Sequence, residues 1–221
     1  MNIISYKSFS IVALFCLTFC VSANTRVVQE VQIGVKPSKA SAVQSTEIPL
    51  TNNPKVEFNT SAGLIVIELF PDKSPITVRN FLSYVASGYY NNTIFHRVIP
   101  NLLIQGGAYT PNLQLKADKG FIHNEASNGL SNRRGTIAAA RRSNDSESAS
   151  SQFFFNVVDN PQFDFSSATV MSGRGYTVFG QVIQGQDIID SMRLVATERK
   201  APLGEYVPKS PLIITQARKL D

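Results

Sequence analysis

Residues 95–107 read FHRVIPNLLIQGG, and this segment carries the clearest structural pattern in the chain. It divides into two short apolar strands, Thr93–Ile99 and Leu103–Gly106, which are separated by turn residues. Arg97 and Gln105, two hydrogen-bonding side chains without an acidic group, bracket the apolar centre of the segment. The pattern predicts two strands of a β-rich fold that present a polar pair beside apolar side chains.

Similar short strands recur on both sides of this segment, each bounded by turn residues. They are Val56–Phe58, Leu64–Phe70, Gly135–Ala140, Phe153–Val158, Tyr176–Ile183 and Leu212–Ala217. The first two of them are expected to form a β-hairpin. Because many short strands occur with few helices, the sequence favours a mainly β fold, a closed antiparallel barrel rather than a doubly wound sheet.

Two helices are predicted among these strands. The first begins at Ser74-Pro75, where a capping hydroxyl precedes proline at the first helical position, and it ends at Gly88. Its apolar residues recur with helical spacing, at Val78, Phe81, Leu82 and Val85. A shorter helix is predicted over Asp187–Met192, and a proline-rich loop is expected from Lys200 onward.

The composition is that of a folded domain with a mildly basic balance. The chain has 221 residues, 43% of them hydrophobic, and its 21 basic and 16 acidic residues give a net charge of +5. This excess is small and spread along the chain, so no nucleic-acid partner is expected. A polyanion site on Arg133, Arg134, Arg141 and Arg142 is the alternative, but acidic Asp145 and Glu147 follow these arginines.

The first 23 residues have the pattern of a secretory signal peptide. Lys7 precedes an apolar stretch from Phe9 to Val21 that is short for a bilayer span. Small residues follow at Ser22 and Ala23, as expected for signal-peptidase cleavage after Ala23. We therefore expect export to the periplasm, with secretion from the cell as an alternative, and no membrane insertion after cleavage. Both cysteines lie inside this segment, so the mature chain is expected to contain no thiol.

The rest of the chain divides into a tether and one domain. Residues 24–53 are rich in polar residues and proline and lack aromatic residues, which indicates a flexible N-terminal segment. The domain is expected to span residues 54–221 and to be a monomer.

The chemistry available to this domain is limited. His96 and His123 are its histidines, too few for a protein-built zinc site, and no nucleophile elbow, P-loop or dinucleotide-binding motif occurs. We therefore expect no metal and no cofactor. An enzyme built from these residues must act by binding and polarisation.

Several of these segments together resemble the cyclophilin family of peptidyl-prolyl cis-trans isomerases. They match in family order and spacing, and they are 95–100, 105–107, 124–125, 135–138, 151–155 and 178–182. FHR-x-I-P followed by QGG and SQFF is a specific combination. The resemblance implies an eight-stranded antiparallel barrel capped by two α-helices, and the predicted signal peptide makes the chain most similar to exported bacterial cyclophilins.

The resemblance implies a reaction and the residues that carry it. The chain would accelerate X-Pro isomerisation in proline-containing, unfolded or exported polypeptides without covalent chemistry. Arg97 would donate to the prolyl nitrogen of the twisted amide, and Gln105 would fix the substrate backbone. The implied substrate-binding residues are Leu102, Leu103, Phe154, Phe163 and Tyr176 around the proline ring, Ala140 and Arg141 along the adjoining groove, and His96 in support of the arginine.

The sequence departs from the family pattern at the predicted site. Leu102 stands where the family commonly has phenylalanine, and Gln162 stands where eukaryotic members have the tryptophan that helps bind cyclosporin. We therefore expect weak cyclosporin binding. Tyr176 replaces a common histidine, and Ser166–Gly175 replaces a compact loop and is expected to be mobile.

Two alternatives concern how the groove is used. A non-catalytic module that binds proline-containing segments, acting as a chaperone, would share the same pocket. The retention of Arg97 argues against this alternative, whereas Leu102 and Gln162 favour it mildly. A second hypothesis is that Arg141 and Arg142 bias the groove toward acidic residues that flank proline.

Overall fold

The computed structural model describes residues 53–221, which contain ten β-strands. In chain order they are β1 (Lys55–Thr60), β2 (Gly63–Leu69), β3 (Thr93–Ile99), β4 (Leu103–Tyr109), β5 (Thr136–Ala139), β6 (Phe153–Asn156), β7 (Val178–Gln184), β8 (Thr197–Lys200), β9 (Gly204–Pro208) and β10 (Leu212–Leu220). The helices are α1 (Pro75–Ala86) and α2 (Gln186–Met192). The predicted signal peptide and nearly all of the predicted tether lie outside the described residues.

Eight of these strands close into an antiparallel barrel, as predicted. The order around the barrel is β1-β10-β3-β4-β6-β5-β7-β2, and β2 pairs with β1 to complete it. Closure leaves the barrel without an unpaired edge, so its backbone groups are satisfied between neighbouring strands. Within residues 53–221, no helix is long and apolar enough to cross a membrane.

The barrel interior is filled mainly by large aromatic and aliphatic side chains. Phe58, Phe95, Phe153 and Phe155 are essentially fully buried, and the ring of Phe153 lies 5.5 Å from that of Phe58. A second, smaller apolar cluster lies apart from this core and contains Leu103, Ala138, Phe154 and Val178. Successive residues of β6 therefore serve two different clusters, as expected from the alternation of side chains along a strand.

Helix α1 begins at Pro75 as predicted, but the expected cap at Ser74 is wrong. The Ser74 hydroxyl donates to the Val178 carbonyl at 2.8 Å and makes no bond to the helix. The helix N-terminus is bound instead by Glu125, whose two carboxylate oxygens accept from the backbone N–H groups of Ile76 and Thr77 at 3.0 and 2.9 Å. A negative charge at this end of a helix also interacts favourably with its dipole.

The predicted loop from Lys200 onward is also wrong in part. β8 and β9 form a two-stranded sheet in which Thr197 pairs with Pro208, and this sheet packs against β3. Only Ala201–Leu203 forms the connecting turn. The last strand, β10, continues three residues beyond the predicted end at Ala217, because Lys219 and Leu220 pair with the start of β1.

A bulge in the β3–β4 pair sets the directions in which the side chains of Phe95, His96 and Arg97 point. Phe95 pairs with Gly106 and Arg97 with Gln105, so His96 is an extra residue on β3. The bulge breaks the normal alternation: Phe95 and His96 are buried, whereas Arg97 is exposed. Gly106 permits the close approach of the two strands, because a Cβ at this position would lie 2.9 Å from the Phe95 ring.

We predict that Glu125→Ala lowers the free energy of unfolding by about 1–2 kcal/mol, because two helix N–H groups and the Thr77 hydroxyl lose their acceptor. Urea unfolding followed by circular dichroism measures the change. Glu205→Ala, which removes an exposed carboxylate of β9, is the control. An unchanged midpoint for Glu125→Ala would show that the capping contact contributes nothing.

Candidate active site

Arg97 and Gln105 lie side by side on the outer face of the barrel. Because they are register partners on β3 and β4, their side chains meet, and Arg97 Nη1 donates to Gln105 Oε1 at 3.5 Å. Gln105 Nε2 donates in turn to Gln152 Oε1 at 2.9 Å. This chain of contacts fixes the orientation of the Gln105 amide, so that its oxygen faces the guanidinium group.

A cavity of about 430 Å³, with polar and apolar residues in its lining, opens beside this polar pair. Three aromatic rings, Phe154, Phe163 and Tyr176, form its wall, and we call them the aromatic cage. Their ring centroids lie 5.1–5.7 Å apart in edge-to-face contacts, the geometry that aromatic rings prefer. Phe154 and Leu103 are buried in the outer apolar cluster, which makes this part of the cavity rigid.

The structure brings together nine of the ten predicted site residues. Those lining the cavity are Arg97, Leu102, Leu103, Gln105, Ala140, Arg141, Phe154, Phe163 and Tyr176. Ser143 also lines the cavity, and Gln152 orients Gln105, although the sequence analysis assigned a role to neither. The SQFF motif contains Gln152, but only the folded structure shows that its side chain meets that of Gln105.

His96 is the predicted site residue that does not reach the cavity. Its side chain is 7% exposed and packs edge-on against Tyr109, with the ring centroids 4.8 Å apart. Burial, reinforced by the neighbouring Arg97 charge, lowers the pKa of His96 to about 4. The imidazole is therefore neutral at physiological pH. It supports β3 from behind and does not contact the cavity.

Arg141 is held in place by contacts within the protein. Its Nε donates to the Gly175 carbonyl at 2.8 Å, and its guanidinium lies 4.5 Å from the centre of the Tyr176 ring. These contacts attach Ser166–Gly175 to the groove. The loop, which was expected to be mobile, is also bonded internally, because the N–H groups of Ser166 and Ser167 both donate to the Gly173 carbonyl.

A second cavity of about 390 Å³ continues the groove past Gln105, Ala140 and Arg141. Lys116, Asp118 and Arg142 contribute charged groups to its lining, while Leu115 and Phe121 are exposed apolar residues at its border. The two cavities share Gln105, Ala140 and Arg141 in their linings and so form one groove. Its lining carries both signs of charge.

Comparison with known proteins agrees with this arrangement. The family model described as cyclophilin type peptidyl-prolyl cis-trans isomerase/CLD matches residues 55–219. The chain belongs to the cyclophilin family. It is 50% identical over 159 residues to peptidyl-prolyl cis-trans isomerase B of Escherichia coli strain K12, a match that covers 72% of this chain and 95% of that protein.

Other relatives and solved structures support the same assignment. The chain is 50% identical over 162 residues to the peptidyl-prolyl cis-trans isomerase of Acinetobacter baylyi, covering 73% of this chain and 83% of that protein. A cyclophilin type isomerase of Cryptosporidium parvum, crystallised in the presence of the dipeptide Ala-Pro, has a TM-score of 0.64 and 28% identity, covering 76% of this chain and 99% of that one. The protein is a peptidyl-prolyl cis-trans isomerase, as the motifs predicted.

We predict that His96 makes the isomerase less stable as the pH falls from 6.5 to 4. In this window the unfolded chain, with an ordinary histidine pKa of 6.5, binds a proton that the folded chain excludes until about pH 4. The free energy of unfolding falls by about 3 kcal/mol in total. The stabilisation is fully present above pH 6.5, and its loss is complete near pH 4.

Urea unfolding at several pH values measures this loss, with His96→Phe as the test variant because it keeps a ring against Tyr109. His123→Gln is the matched control, since it removes a histidine whose side chain is 70% exposed. The pH dependence should shrink in the first variant and persist in the second. An equal slope in His96→Phe and the unaltered protein would contradict the assignment.

Proposed function

We propose that this isomerase holds the twisted X-Pro amide between the Arg97 guanidinium and the aromatic cage. The observation that carries the proposal is the position of Arg97. It is an exposed, permanently charged donor that lines the same cavity as Phe154, Phe163 and Tyr176. The Cryptosporidium parvum relative was crystallised in the presence of Ala-Pro, which supports the choice of short X-Pro segments as ligands for this cavity.

The reaction requires a donor more than it requires a base. Rotation about a peptide bond faces a barrier of about 18–20 kcal/mol, because resonance holds the amide planar. In the twisted amide the prolyl nitrogen regains its lone pair and can accept a hydrogen bond. A donor that binds this nitrogen therefore stabilises the twisted state over both planar isomers, which is the condition for catalysis.

The guanidinium of Arg97 suits this role for two physical reasons. Its charge does not change at any working pH, and its planar fork offers several N–H donors. One of them, Nη1, is directed to Gln105 Oε1, which leaves other donors of the fork for the substrate. Gln105, held by Gln152, would then contact the substrate backbone next to the proline.

The aromatic cage supplies binding and orientation for the proline ring. The ring is apolar, and removing apolar surface from water contributes roughly 25 cal/mol per Å². Because the cage is packed before the substrate arrives, little side-chain entropy is lost on binding. The ring is thus held while the preceding residue rotates, with no bond made or broken.

We predict that Arg97→Ala lowers kcat/KM for a short Ala-Pro peptide about 100-fold, because removing a donor aimed at developing charge costs roughly 2.7–4 kcal/mol. A protease-free assay of cis–trans relaxation measures the rate. The matched control is Arg199→Ala, which removes an exposed arginine of β8. Arg97→Ala with full activity would overturn the proposed mechanism.

We further propose that the protein acts on exported polypeptides in the periplasm. The support is the predicted signal peptide, Met1 to Ala23, and the location of both cysteines, Cys16 and Cys20, within it. Folding of exported chains includes X-Pro isomerisation, which takes about 10–100 s without a catalyst.

The export proposal predicts a mature chain that begins at Asn24 and is recovered in the periplasmic fraction. Cell fractionation with N-terminal sequencing of the purified protein tests it. A variant with Leu14 changed to Arg, which interrupts the apolar stretch, should be retained in the cytoplasm with its first 23 residues attached. Recovery of the unaltered protein in the cytoplasm, beginning at Met1, would contradict the proposal.

A further inference from the structure

Three buried asparagines, Asn132, Asn156 and Asn160, lie behind the aromatic cage, and we call them the asparagine cluster. Each is at most 1% exposed, and no step of the proposed reaction uses them. Burying a primary amide is costly unless its polar atoms are bonded. The bonds these three side chains make therefore indicate what the cluster stabilises.

The three asparagines are connected to one another. Asn160 Nδ2 donates to Asn156 Oδ1 at 2.8 Å, and Asn156 Nδ2 donates to Asn132 Oδ1 at 3.1 Å. The backbone N–H of Asn160 donates to the Asn132 carbonyl at 2.8 Å, which closes the set. Since Asn156 belongs to β6, the cluster is attached to the barrel itself.

Asn132 and Asn160, the two ends of the cluster, bind the backbone of residues that line the 430 Å³ cavity beside Arg97, which we call the proline cavity. Asn160 Nδ2 donates to the Leu102 carbonyl at 2.9 Å. Asn132 Nδ2 lies 3.0 and 3.3 Å from the carbonyls of Phe163 and Tyr176, and its two hydrogens are shared between these acceptors and Asp164 Oδ1. Phe163 and Tyr176 are also joined directly, because the Tyr176 N–H donates to the Phe163 carbonyl at 2.8 Å. The asparagine bonds therefore add a connection between this pair, the Leu102 backbone and β6.

Asp164 strengthens the Asn132 end of the cluster. Its Oδ1 accepts from the Asn132 N–H at 2.6 Å and from Asn132 Nδ2 at 3.0 Å, and its Oδ2 accepts from the Ser131 hydroxyl at 2.5 Å. These bonds outweigh the effect of burial and lower the pKa of the Asp164 carboxyl. The carboxylate is thus ionised and keeps the Asn132 amide in one orientation.

Arg97 is held by different contacts. Its partner is Gln105, and Gln105 is held by Gln152, with no bond from this chain of contacts to the asparagine cluster among residues 53–221. The side-chain bonds that orient Arg97 are therefore distinct from those of the asparagine cluster, although both are attached to β6, where Gln105 pairs with Phe154 and Leu103 with Asn156.

We propose that Asn132, Asn156 and Asn160 are positioning residues that set the width of the proline cavity and thereby the affinity for X-Pro segments. They do not touch the substrate, and they leave the rate of rotation on the enzyme to Arg97. The inference rests on the proposed function, because it takes Leu102, Phe163 and Tyr176 to hold the proline ring.

Exchange NMR with a short Ala-Pro peptide tests this proposal, because it yields both the affinity and the rate of interconversion on the enzyme. Asn160→Ala should raise the dissociation constant about tenfold and change the bound-state rate less than threefold. Asn132→Ala should raise the dissociation constant further, since it removes the contacts of both Phe163 and Tyr176 with the cluster. Arg97→Ala, measured in parallel, should slow the interconversion on the enzyme strongly and change the dissociation constant little.

The control is Thr93→Val, which removes a fully buried hydroxyl that donates to the Tyr90 carbonyl at 2.6 Å, away from the cavity. Its affinity should equal that of the unaltered protein, although its stability falls. If Thr93→Val weakens binding as much as Asn160→Ala does, affinity follows global stability and the proposal is overturned. An unchanged dissociation constant in both folded asparagine variants would also overturn it.

The same experiment distinguishes failure of isomerase activity from failure of the positioning role of the asparagines. No acceleration of exchange by the unaltered protein would contradict the proposed function itself, whereas normal acceleration with unaffected asparagine variants would contradict the inference alone. Measurements at low temperature, with circular dichroism as a check of folding, keep destabilised variants in range. Asn160→Ser, too short to reach the Leu102 carbonyl, replaces Asn160→Ala if the alanine variant does not fold.

Discussion

The function of this isomerase depends on one constraint, the antiparallel pairing of Arg97 with Gln105 across β3 and β4. A permanently charged side chain cannot be buried without a large penalty, yet it must stand beside apolar side chains to act on a proline. The bulge at His96 meets both requirements, because it leaves Phe95 in the core and directs Arg97 outward. Gly106 and Gly107 permit this geometry, since a Cβ at either position would lie less than 3 Å from an aromatic ring.

The structure has two apolar clusters, one that stabilises the fold and one that supports the cavity. The interior core fills the barrel and contains most of the large aromatic side chains, while the outer cluster around Phe154 and Val178 serves the cavity. Because β6 contributes alternate residues to both, the cavity is attached to the buried core of the molecule. A preformed site of this kind loses little entropy when it binds a flexible polypeptide.

Much of this arrangement can be predicted from the sequence, and the failures have identifiable causes. Short strands with turn residues between them predicted the closed barrel, and the helical spacing of apolar residues predicted α1. The sheet of β8 and β9 was missed because Pro202 and Gly204 resemble loop residues, although they occupy its turn and the first position of β9. Local sequence patterns indicate local structure only. They do not predict that β8 and β9 pair, because that pairing depends on packing against β3.

The site shows the same limit. Nine of the ten residues that line the cavity were predicted from the family resemblance, whereas His96 was misplaced because a bulge reversed the direction of its neighbours. Glu125 lies in a segment that matches the family, but neither it nor the asparagine cluster has a local pattern that indicates its hydrogen-bond partners. Glu125 accepts a hydrogen bond from the N–H of Thr77, 48 residues away in the sequence. Asn160 donates to the carbonyl of Leu102, 58 residues away. Contacts over such separations become visible only when the chain has folded.

In the proposed mechanism, hydrogen-bond donation by Arg97 to the prolyl nitrogen, beyond the positive charge alone, stabilises the twisted amide. Semisynthetic replacement of Arg97 by citrulline tests it most directly, because citrulline keeps N–H donors of similar shape and removes the charge. We predict that the interconversion rate of a bound Ala-Pro peptide, measured by NMR line shapes, stays within about tenfold of the unaltered protein, since charge-assisted bonds are roughly twice as strong as neutral ones. A citrulline variant as slow as Arg97→Ala would contradict the claim.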